Sequence, residues 1–591
     1  MHCSATALPA ILAQPAERTF VTSDHAELFY RHWEPTTPQS RALLLFHRGH
    51  EHSGRFAELV ESLGLEGVHV FAWDARGHGR SPGERGYAES VGRMVRDVEE
   101  FVRHVSTHHD LPVEQMVVLG HSVAAVTVAT WVHDYAPPIR AMVLATPAFR
   151  VRLYVPMAIP GLRTIQAIRG KTFIKSYVRS KLLTHDPQQA AAYDADPLIS
   201  RSIATNVLLD LHDTSTRIME DAGAITTPAL LLTAGRDWVV NNAATDRFFQ
   251  RLGSRQKQLH AYPGFGHAIF HETDRHLTIA AVRQFIDSAF RLPSEAVSLL
   301  DADRHGYTRS EYDRLCAPAP PLSLGRLAFA AQRAFLKTIR RLSQGVRLGW
   351  RTGFDSGQSL DHIYQNRATG LTPLGRMIDR IYLSAIGWRG IRIRKANLER
   401  LLGETIELLS RSNKPVRVVD IASGPGRYVL DVLAKFAPGE VSALLRDHSA
   451  EARAAGARMA QEKGLTNVTF EDGDAFDFDS LAHLSPRPDV AIVSGLFELF
   501  PDNDKVLTAL RGLAESISND GRLIYTNQPW HPQIEMIARV LINRDGKPWI
   551  MRRRTTAEMD QLVRAAGFEK TDMAIDRYGI FTVSVARKTH Q

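Results

Sequence analysis

Gln115-Met-Val-Val-Leu-Gly-His-Ser-Val-Ala124 is the stretch on which the reading of the N-terminal half turns. Met116 to Leu119 suit a strand buried on both faces, and the following Ala125-Val-Thr-Val-Ala-Thr-Trp131 suits a helix. Gly120-His-Ser-Val-Ala124 leaves room only for a sharp reversal between them. Gly120 and Ala124 supply the small neighbours that such a turn requires, and the turn lifts Ser122 clear of the strand end. The same residues also read as an ordinary helix start capped by Ser122. The turn alone leaves both readings open.

Working outward, short apolar runs alternate with helical stretches from about residue 17 to 292. Arg41–His47, Val68–Asp74, Ala141–Ala145 and Ala229–Thr233 are further candidate strands. Runs that are apolar on both faces belong to a parallel sheet covered by helices, so an α/β fold is expected. The alternation stops between about 150 and 225, which reads as a helical insertion, or cap. Two side chains complete a reactive set in the chain order serine, acid, histidine. Asp237 lies just past the strand Leu231-Leu-Thr-Ala234. His267 lies in the glycine-rich Tyr262-Pro-Gly-Phe-Gly-His267, with His271 as a rival. In that arrangement His267 takes and returns the Ser122 proton, and Asp237 fixes the imidazole. Backbone N–H donors for an oxyanion are expected from Val123 and, after the strand 41–47, from Gly49.

Phe46-His-Arg-Gly-His-Glu-His-Ser-Gly-Arg-Phe56 and Asp74-Ala-Arg-Gly-His-Gly-Arg-Ser81 resemble the corresponding loops of monoglyceride lipases and lysophospholipases. The resemblance covers residues 20 to 290. It implies an α/β-hydrolase fold and hydrolysis of an acyl ester of lipid type, with the cap forming the acyl pocket. Arg48 and Ala124 depart from the family pattern, each standing where glycine is usual. Arg48 reads equally as a charge beside the oxyanion site or as a solvent-facing side chain.

A second α/β alternation runs from about 366 to the C-terminus. Its candidate strands are Val416–Ile421, Val441–Leu445, Val468–Phe470, Asp489–Val493, Gly521–Thr526 and Phe581–Ala586. The first runs into Asp420-Ile-Ala-Ser-Gly-Pro-Gly426, where small residues let a ligand approach the backbone and a helix N-terminus follows. A dinucleotide fingerprint would need a third glycine where Val429 stands. The turn resembles instead the Asp-x-x-x-Gly-x-Gly turn of class I methyltransferases. That resemblance implies a Rossmann-like domain, S-adenosylmethionine as cofactor, and contacts from Asp420, Gly424, Gly426, Asp447, Asp474 and Ala475. It also places Ser494-Gly-Leu-Phe-Glu498 at the floor of the transfer site. Asp447 and Asp474 read alternatively as ordinary loop carboxylates. Asn527-Gln-Pro-Trp-His-Pro532 follows the fifth strand and reads first as a proline-stiffened loop; alternatively His531 could deprotonate an acceptor and Trp530 could stack on it. Arg389, Arg392, Arg394 and Lys395 read as a solvated basic face, with contact to an anionic acceptor as the alternative.

The domains are thus 17–292 and 366–591, with 293–365 between them as a linker. Residues 326–351 carry Arg326, Arg333, Lys337, Arg340, Arg341, Arg347 and Arg351 and no acid, and these seven charges nearly account for the net +8 of the 591-residue chain. At helical period Leu324, Phe335, Ile339, Leu342, Val346 and Trp350 fall on the opposite side. This basic amphipathic helix, weakened by Gly345 and Gly349, suits either an anionic membrane surface or packing on a domain. No nucleic-acid reader motif accompanies it. Asp301-Ala-Asp-Arg-His-Gly306 lacks the ligands of a calcium loop and reads as a turn, and no metal centre is expected. With Cys3 and Cys316 far apart, no disulfide scaffold is expected. The N-terminus lacks a basic leader and the apolar runs are short. The expected location is cytoplasmic, with peripheral attachment to the inner face of the membrane as an option. The expected function joins ester hydrolysis to methyl transfer onto an unknown, lipid-derived acceptor. The alternative leaves the second half as a non-catalytic S-adenosylmethionine-binding module.

Overall fold

The computed structural model describes residues 12–293, 297–320, 323–370, 372–411 and 414–589. Cys3 and the rest of the N-terminal segment, and Pro321, lie outside the described residues. The chain forms two compact units, Met1–Val297 and Ser298–Gln591. Among the described residues no helix is long and apolar enough to cross a membrane.

The first unit is an α/β-hydrolase fold. Its sheet contains β1 (Ala16–Val21), β2 (Glu27–Trp33), β3 (Arg41–Phe46), β4 (Val68–Trp73), β5 (Met116–His121), β6 (Ala141–Ala145), β9 (Ala229–Ala234) and β10 (Lys257–Tyr262), in the order β1-β2-β4-β3-β5-β6-β9-β10. From β4 to β10 all neighbours are parallel, and β1 and β2 form an antiparallel hairpin at one edge. β5 therefore lies at the centre, buried along its whole length. Leu43, Leu45, Val117, Leu119, Leu230 and Leu232 face the helices Ala57–Leu63 and His276–Arg291. β1 escapes the apolar-run reading because it is a solvated edge, with Phe20 its one buried residue. The expected helical cap holds the helices Ala158–Arg169, Pro187–Ala195 and Thr205–Glu220, and also a short antiparallel ribbon of β7 (Phe173–Lys175) and β8 (Ser202–Ala204).

The second unit is built on β11 (Val416–Asp420), β12 (Val441–Arg446), β13 (Val468–Glu471), β14 (Val490–Val493), β15 (Arg522–Asn527), β16 (Phe568–Ile575) and β17 (Thr582–Lys588). The order is β13-β12-β11-β14-β15-β17-β16, parallel throughout except for the antiparallel β17 and β16. This is the Rossmann-like sheet expected, with the order reversing between β11 and β14. Ligands of such sheets bind in the crevice at that reversal. β16 and β17 form a closing antiparallel hairpin, and β16 lies ahead of the one candidate strand, Phe581–Ala586, read in this region.

The interval expected as a linker folds largely into this unit, as the helices Tyr307–Cys316, Leu324–Ile339, Gln344–Thr352 and Gly357–Gln365. A single basic helix over 326–351 is not what forms. The chain turns after Ile339, and Ser343 caps a new helix by accepting from the Val346 amide while its hydroxyl bonds to Asp379. The apolar residues divide accordingly. Val346 is buried and Leu336 and Trp350 pack inward, whereas Leu324, Phe335 and Leu342 are exposed. Gly345 and Gly349 are contact points rather than weak points. A Cβ on Gly349 would lie 2.4 Å from the buried Phe354 ring, and one on Gly345 would lie 2.8 Å from Tyr382. Alanine is favoured over glycine in a helix by about 1 kcal/mol, yet Gly349→Ala is expected to destabilise the second unit by about 1–3 kcal/mol through overpacking. Urea denaturation checks this; a stabilised variant would refute the close packing.

Candidate functional site

Ser122 leaves the central strand β5 with φ 58° and ψ −112°, a conformation that costs a side-chain-bearing residue energy and persists only when its surroundings enforce it. Its amide donates to Ala145 O (2.9 Å), and its carbonyl accepts from the amides of Ala125 (3.1 Å) and Ala148 (3.0 Å). Gly120 is required: a Cβ there would meet Ala124 O at 2.7 Å and Ala125 Cα at 2.8 Å. The turn delivers Ser122 Oγ to 2.8 Å from His267 Nε2, and His267 Nδ1 lies 2.7 Å from Asp237 Oδ2. Asp237 Oδ1 accepts from the amides of Val239 (2.8 Å) and Val240 (2.9 Å). Burial works to raise the Asp237 carboxyl, but the imidazole and these two amides outweigh it and hold the carboxyl below its ordinary range.

The rival His271 is turned elsewhere, with Nε2 on Arg55 O at 3.1 Å. Sequence reasoning missed the supports of His267. Its carbonyl accepts from Thr146 Oγ1 (3.1 Å) and from His121 Nε2 (3.2 Å). His121 is fully buried, and burial holds it neutral. Its place between Gly120 and Ser122 is the one clue the sequence offered.

Gly49 and Val123 come side by side: a Cβ on Gly49 would lie 3.3 Å from Val123 Cγ2. Val123 opens the helix Val123–Tyr135, whose first amides have no partner within the helix. The Gly49 loop is fastened through Asp74, which accepts from the amides of Ser53 (2.6 Å) and Arg80 (2.7 Å), and through His47, whose Nε2 accepts from the Ala75 amide (2.9 Å). Arg48 is not solvent-facing, and it lines the same cavity as Gly49 and Val123. It is buried, paired with Glu51 at 2.6 Å, and lies over the Tyr193 ring. Its charge is neutralised internally, because a buried guanidinium without a partner would be prohibitively costly. A cavity of about 40 Å³ opens beside Gly49 and Val123, with Met94, Val98 and the cap residues Ile203 and Val207 in its wall.

In the second unit, Gly424 (φ 54°) and Gly426 (φ 69°) form the turn after β11. A Cβ on Gly426 would strike Leu445 at 2.5 Å, while the corresponding position on Gly424 is nearly open, with Gly357 Cα at 3.7 Å. Asp447 stands at the end of β12, half-buried. One carboxylate oxygen accepts from the Gly424 amide (2.8 Å) and the other from the Ser449 amide (2.8 Å). Asp474 is exposed and accepts from the Phe476 amide (2.9 Å), with Ala475 buried beside it. Asp420 is buried at the strand end under the Tyr428 hydroxyl, and burial pushes its carboxyl up to about 7. A cradle of small residues followed by a carboxylate at the next strand end fits an adenosine-bearing cofactor.

A cavity of about 280 Å³ lies by Gly495 and Gln528, after β14 and β15. Leu360, Trp388, Ile391, Met536, Ile537 and Trp549 give it apolar walls; Gly495, Glu498, Arg394, Gln528 and His531 reach into it at the ends of β14 and β15. Arg394 corrects the solvated-face reading. It is buried, 3.4 Å from Glu498 Oε1 and over the Phe581 ring. His531 is not placed as a base. Its Nδ1 accepts from the Gln533 amide (3.0 Å), and burial pushes the ring down to about 3, so the neutral imidazole carries its proton on Nε2. Arg554 donates to the carbonyls of Phe497 (2.6 Å) and Phe500 (2.9 Å), shaping the loop that carries Glu498; Arg553 donates to Pro529 O (2.6 Å).

The two units are therefore a lipase-like hydrolase fold and a methyltransferase fold. Residues 282–588 match the family described as "Putative methyltransferase", more than half of the chain, and the protein belongs to that family. Residues 37–274 match the family described as "Serine aminopeptidase, S33". "Uncharacterized protein YnbC" of Escherichia coli K12 is 49% identical over 575 residues, covering 97% of this chain and 98% of its own. A monoacylglycerol lipase of Mycolicibacterium smegmatis is 28% identical over 277 residues, 46% of this chain and 97% of its own. A crystal structure of Paleococcus ferrophilus monoacylglycerol lipase covers 47% of this chain and 100% of its own, at 24% identity and a TM-score of 0.40.

The geometry at residue 122 makes its own test. Glycine tolerates φ 58° and alanine does not, so Ser122→Gly should exceed Ser122→Ala in stability by about 1 kcal/mol. Parallel urea denaturation of the two variants measures it. Equal stabilities would mean that the turn is unstrained.

Proposed function

We propose that the protein is bifunctional, a serine hydrolase of lipid-type acyl esters joined to an S-adenosylmethionine-dependent methyltransferase. The single observation that carries the first activity is the continuous line from Ser122 Oγ through His267 to Asp237. Ser122 attacks the ester carbonyl while His267 Nε2 takes its proton. The Gly49 and Val123 amides receive the oxyanion, and His267 returns the proton to the departing alcohol. Water then cleaves the acyl-enzyme by the same route. The similarity to monoacylglycerol lipases and the apolar residues exposed on and near the cap, Val155, Met157, Ile168 and Trp238, support a lipid acyl chain as substrate.

In the second unit, Gly424 and Gly426 would give the cofactor its backbone approach, Asp447 would take the ribose hydroxyls, and Asp474 and Ala475 would border the adenine. When bound, S-adenosylmethionine would supply an electrophilic methyl group to an acceptor that gives up a proton. Glu498 is the side chain in the cavity suited to receive that proton. A reading in which this unit only binds the cofactor predicts the same affinity without transfer.

Wild type is expected to cleave monoacylglycerols, lysophospholipids or short aryl esters and to be labelled at Ser122 by a fluorophosphonate. Ser122→Ala should lose labelling and lower turnover by about 10⁴-fold or more. Absence of both labelling and cleavage in wild type would end the hydrolase reading. Calorimetry with S-adenosylmethionine should show binding that Asp447→Ala weakens about tenfold or more, since a hydrogen-bonded charged group contributes ~1.5–3 kcal/mol. Transfer of a labelled methyl group in cell extract separates an enzyme from a binding module.

A further inference from the structure

We infer that the 280 Å³ cavity of the second unit is the seat of a single-chain lipid, drawn from an anionic bilayer on which the two helices at its mouth dock. The inference rests on the methyl-transfer reading for the fate of that lipid, but not for its binding. Three independent observations support it.

The interior is built for an amphiphile. Most of its wall is apolar, from Leu336 and Ile381 at one end to Met536, Ile537 and Met551 deeper in. Yet Glu498 Oε2, Gln528 Nε2, Arg394 Nε, Trp549 Nε1 and Asp355 Oδ1 are buried there without a hydrogen-bond partner among the described residues. Each such atom costs free energy unless something meets it. The side chains of Glu498, Gln528 and Arg394 gather near Gly495, at the end of β14, so the polar end of a ligand belongs there and its hydrocarbon along the wall. The volume lies at the small end of ordinary ligand sites. It suits one acyl chain with a small hydroxyl, amine or acid head, rather than a diacyl lipid.

The mouth is apolar outside as well as inside. Gln332 and Ile381 are exposed and also line the cavity, so the opening lies between the helices Leu324–Ile339 and Pro373–Leu383. Leu374, Met377 and Ile381 share one face of the second helix at 52%, 50% and 67% exposure; Leu324, Leu327 and Phe335 stand out from the first at 85%, 59% and 62%. Such a cluster on a water-facing surface marks an interaction site.

The surrounding charge selects the partner. Residues 324–352 contain no acid, and Arg326, Lys337, Arg340 and Arg341 are exposed, joined by Arg376 and Arg380 on the other helix. Asp379, the acid of that second helix, is buried on Ser343. Apolar side chains ringed by arginines at a cavity mouth match the interface of an anionic membrane: the apolar groups enter the acyl boundary and the guanidiniums meet phosphates. This assigns a use to the helix read from the sequence as basic and amphipathic, in the broken form that the structure gives it.

The test separates docking from lodging, using the full chain. Flotation with phosphatidylcholine vesicles, with and without phosphatidylglycerol, reads docking. Dansyl-undecanoic acid in solution reads lodging, through energy transfer from Trp388 and Trp549 in the cavity wall. Wild type should bind phosphatidylglycerol vesicles at least about tenfold more tightly than neutral ones and should bind the probe saturably. Phe335→Asp, at an exposed position, should abolish flotation and keep the probe. Leu336→Glu, one residue on but facing the cavity, should lose the probe and keep flotation. Binding indifferent to phosphatidylglycerol or to Phe335→Asp would overturn the docking surface. A probe that fails to bind, or binds Leu336→Glu equally, would overturn the lipid seat. None of these readouts needs the cofactor. If both arms succeed while S-adenosylmethionine does not bind, the lipid site stands and the methyl-transfer reading falls.

Discussion

A chain that leaves the middle of a parallel sheet must reverse into a helix within a few residues, and in both units the chemistry is placed at that reversal. Flanking strands on either side crowd the turn, so the backbone is driven to positive φ: Ser122 at 58° after β5, Gly424 and Gly426 at 54° and 69° after β11. The two solutions differ in what they present. In the first unit a side chain occupies the strained position, and the surrounding hydrogen bonds to Ala145, Ala125 and Ala148 hold it there. In the second the strained positions are bare, so the backbone itself becomes the surface offered to a ligand. Asp237, His267, Asp447 and Asp474 follow from the same geometry, each just beyond the C-terminal end of a neighbouring strand, where the crevice lies.

The second unit adds a constraint of its own. Arg552, Arg553 and Arg554 are consecutive and all buried, which is tolerable only with partners for every guanidinium. Arg552 pairs with Glu558 at 2.7 Å, Arg553 with Glu311 at 2.5 Å, and Arg554 takes the carbonyls of Phe497 and Phe500. The partners come from the helices Tyr307–Cys316 and Thr556–Ala565 and from the loops after β14 and β15. One tripeptide thereby fixes the ends of two strands that border the cavity and ties in a helix that lies far upstream in sequence. Burial pulls Arg554 down to about 10 against the pull of Glu558.

Legibility in the sequence followed burial for most strands, although the edge strand β13 was read and the buried β2 was not. Central strands such as β3, β5, β9, β11 and β14 are apolar on both faces and were readable directly; β1 and β10, which face water on one side, were not. Ser122 and Asp237 were readable because each follows a readable strand and His267 because it sits in a glycine-rich loop, and the structure brings the three together. His121 and Thr146 were not, because their work is to hold a carbonyl across the sheet. The region from 326 to 351 shows a different limit. Helical periodicity marked a basic and an apolar side, yet Leu324, Phe335 and Leu342 of the apolar side are exposed, and it could not reveal that Gly349 had to admit the Phe354 ring or that Ser343 would end one helix and begin another. Arg394 failed for the same reason. A basic residue in a run of basic residues looks solvated until a distant Glu498 and Phe581 are known to surround it.

The two candidate sites also differ in how complete they are, and the difference is chemical. Ser122, His267 and Asp237 act on one another, so their hydrogen bonds can all be made within the folded chain, and they are. The cavity beside Gly495 leaves Glu498, Gln528 and Trp549 with open buried positions, at a cost of about 1–3 kcal/mol for each unsatisfied group. A core evolved for stability alone would replace them with hydrocarbon, which fits the surrounding Leu, Met and Trp walls. Their retention in an otherwise apolar space makes sense when a ligand's polar end meets them and the ligand's binding restores what the free protein forgoes. A nucleophile site can be finished in advance. A site that must discriminate one polar head at the end of a hydrocarbon has to be left unfinished.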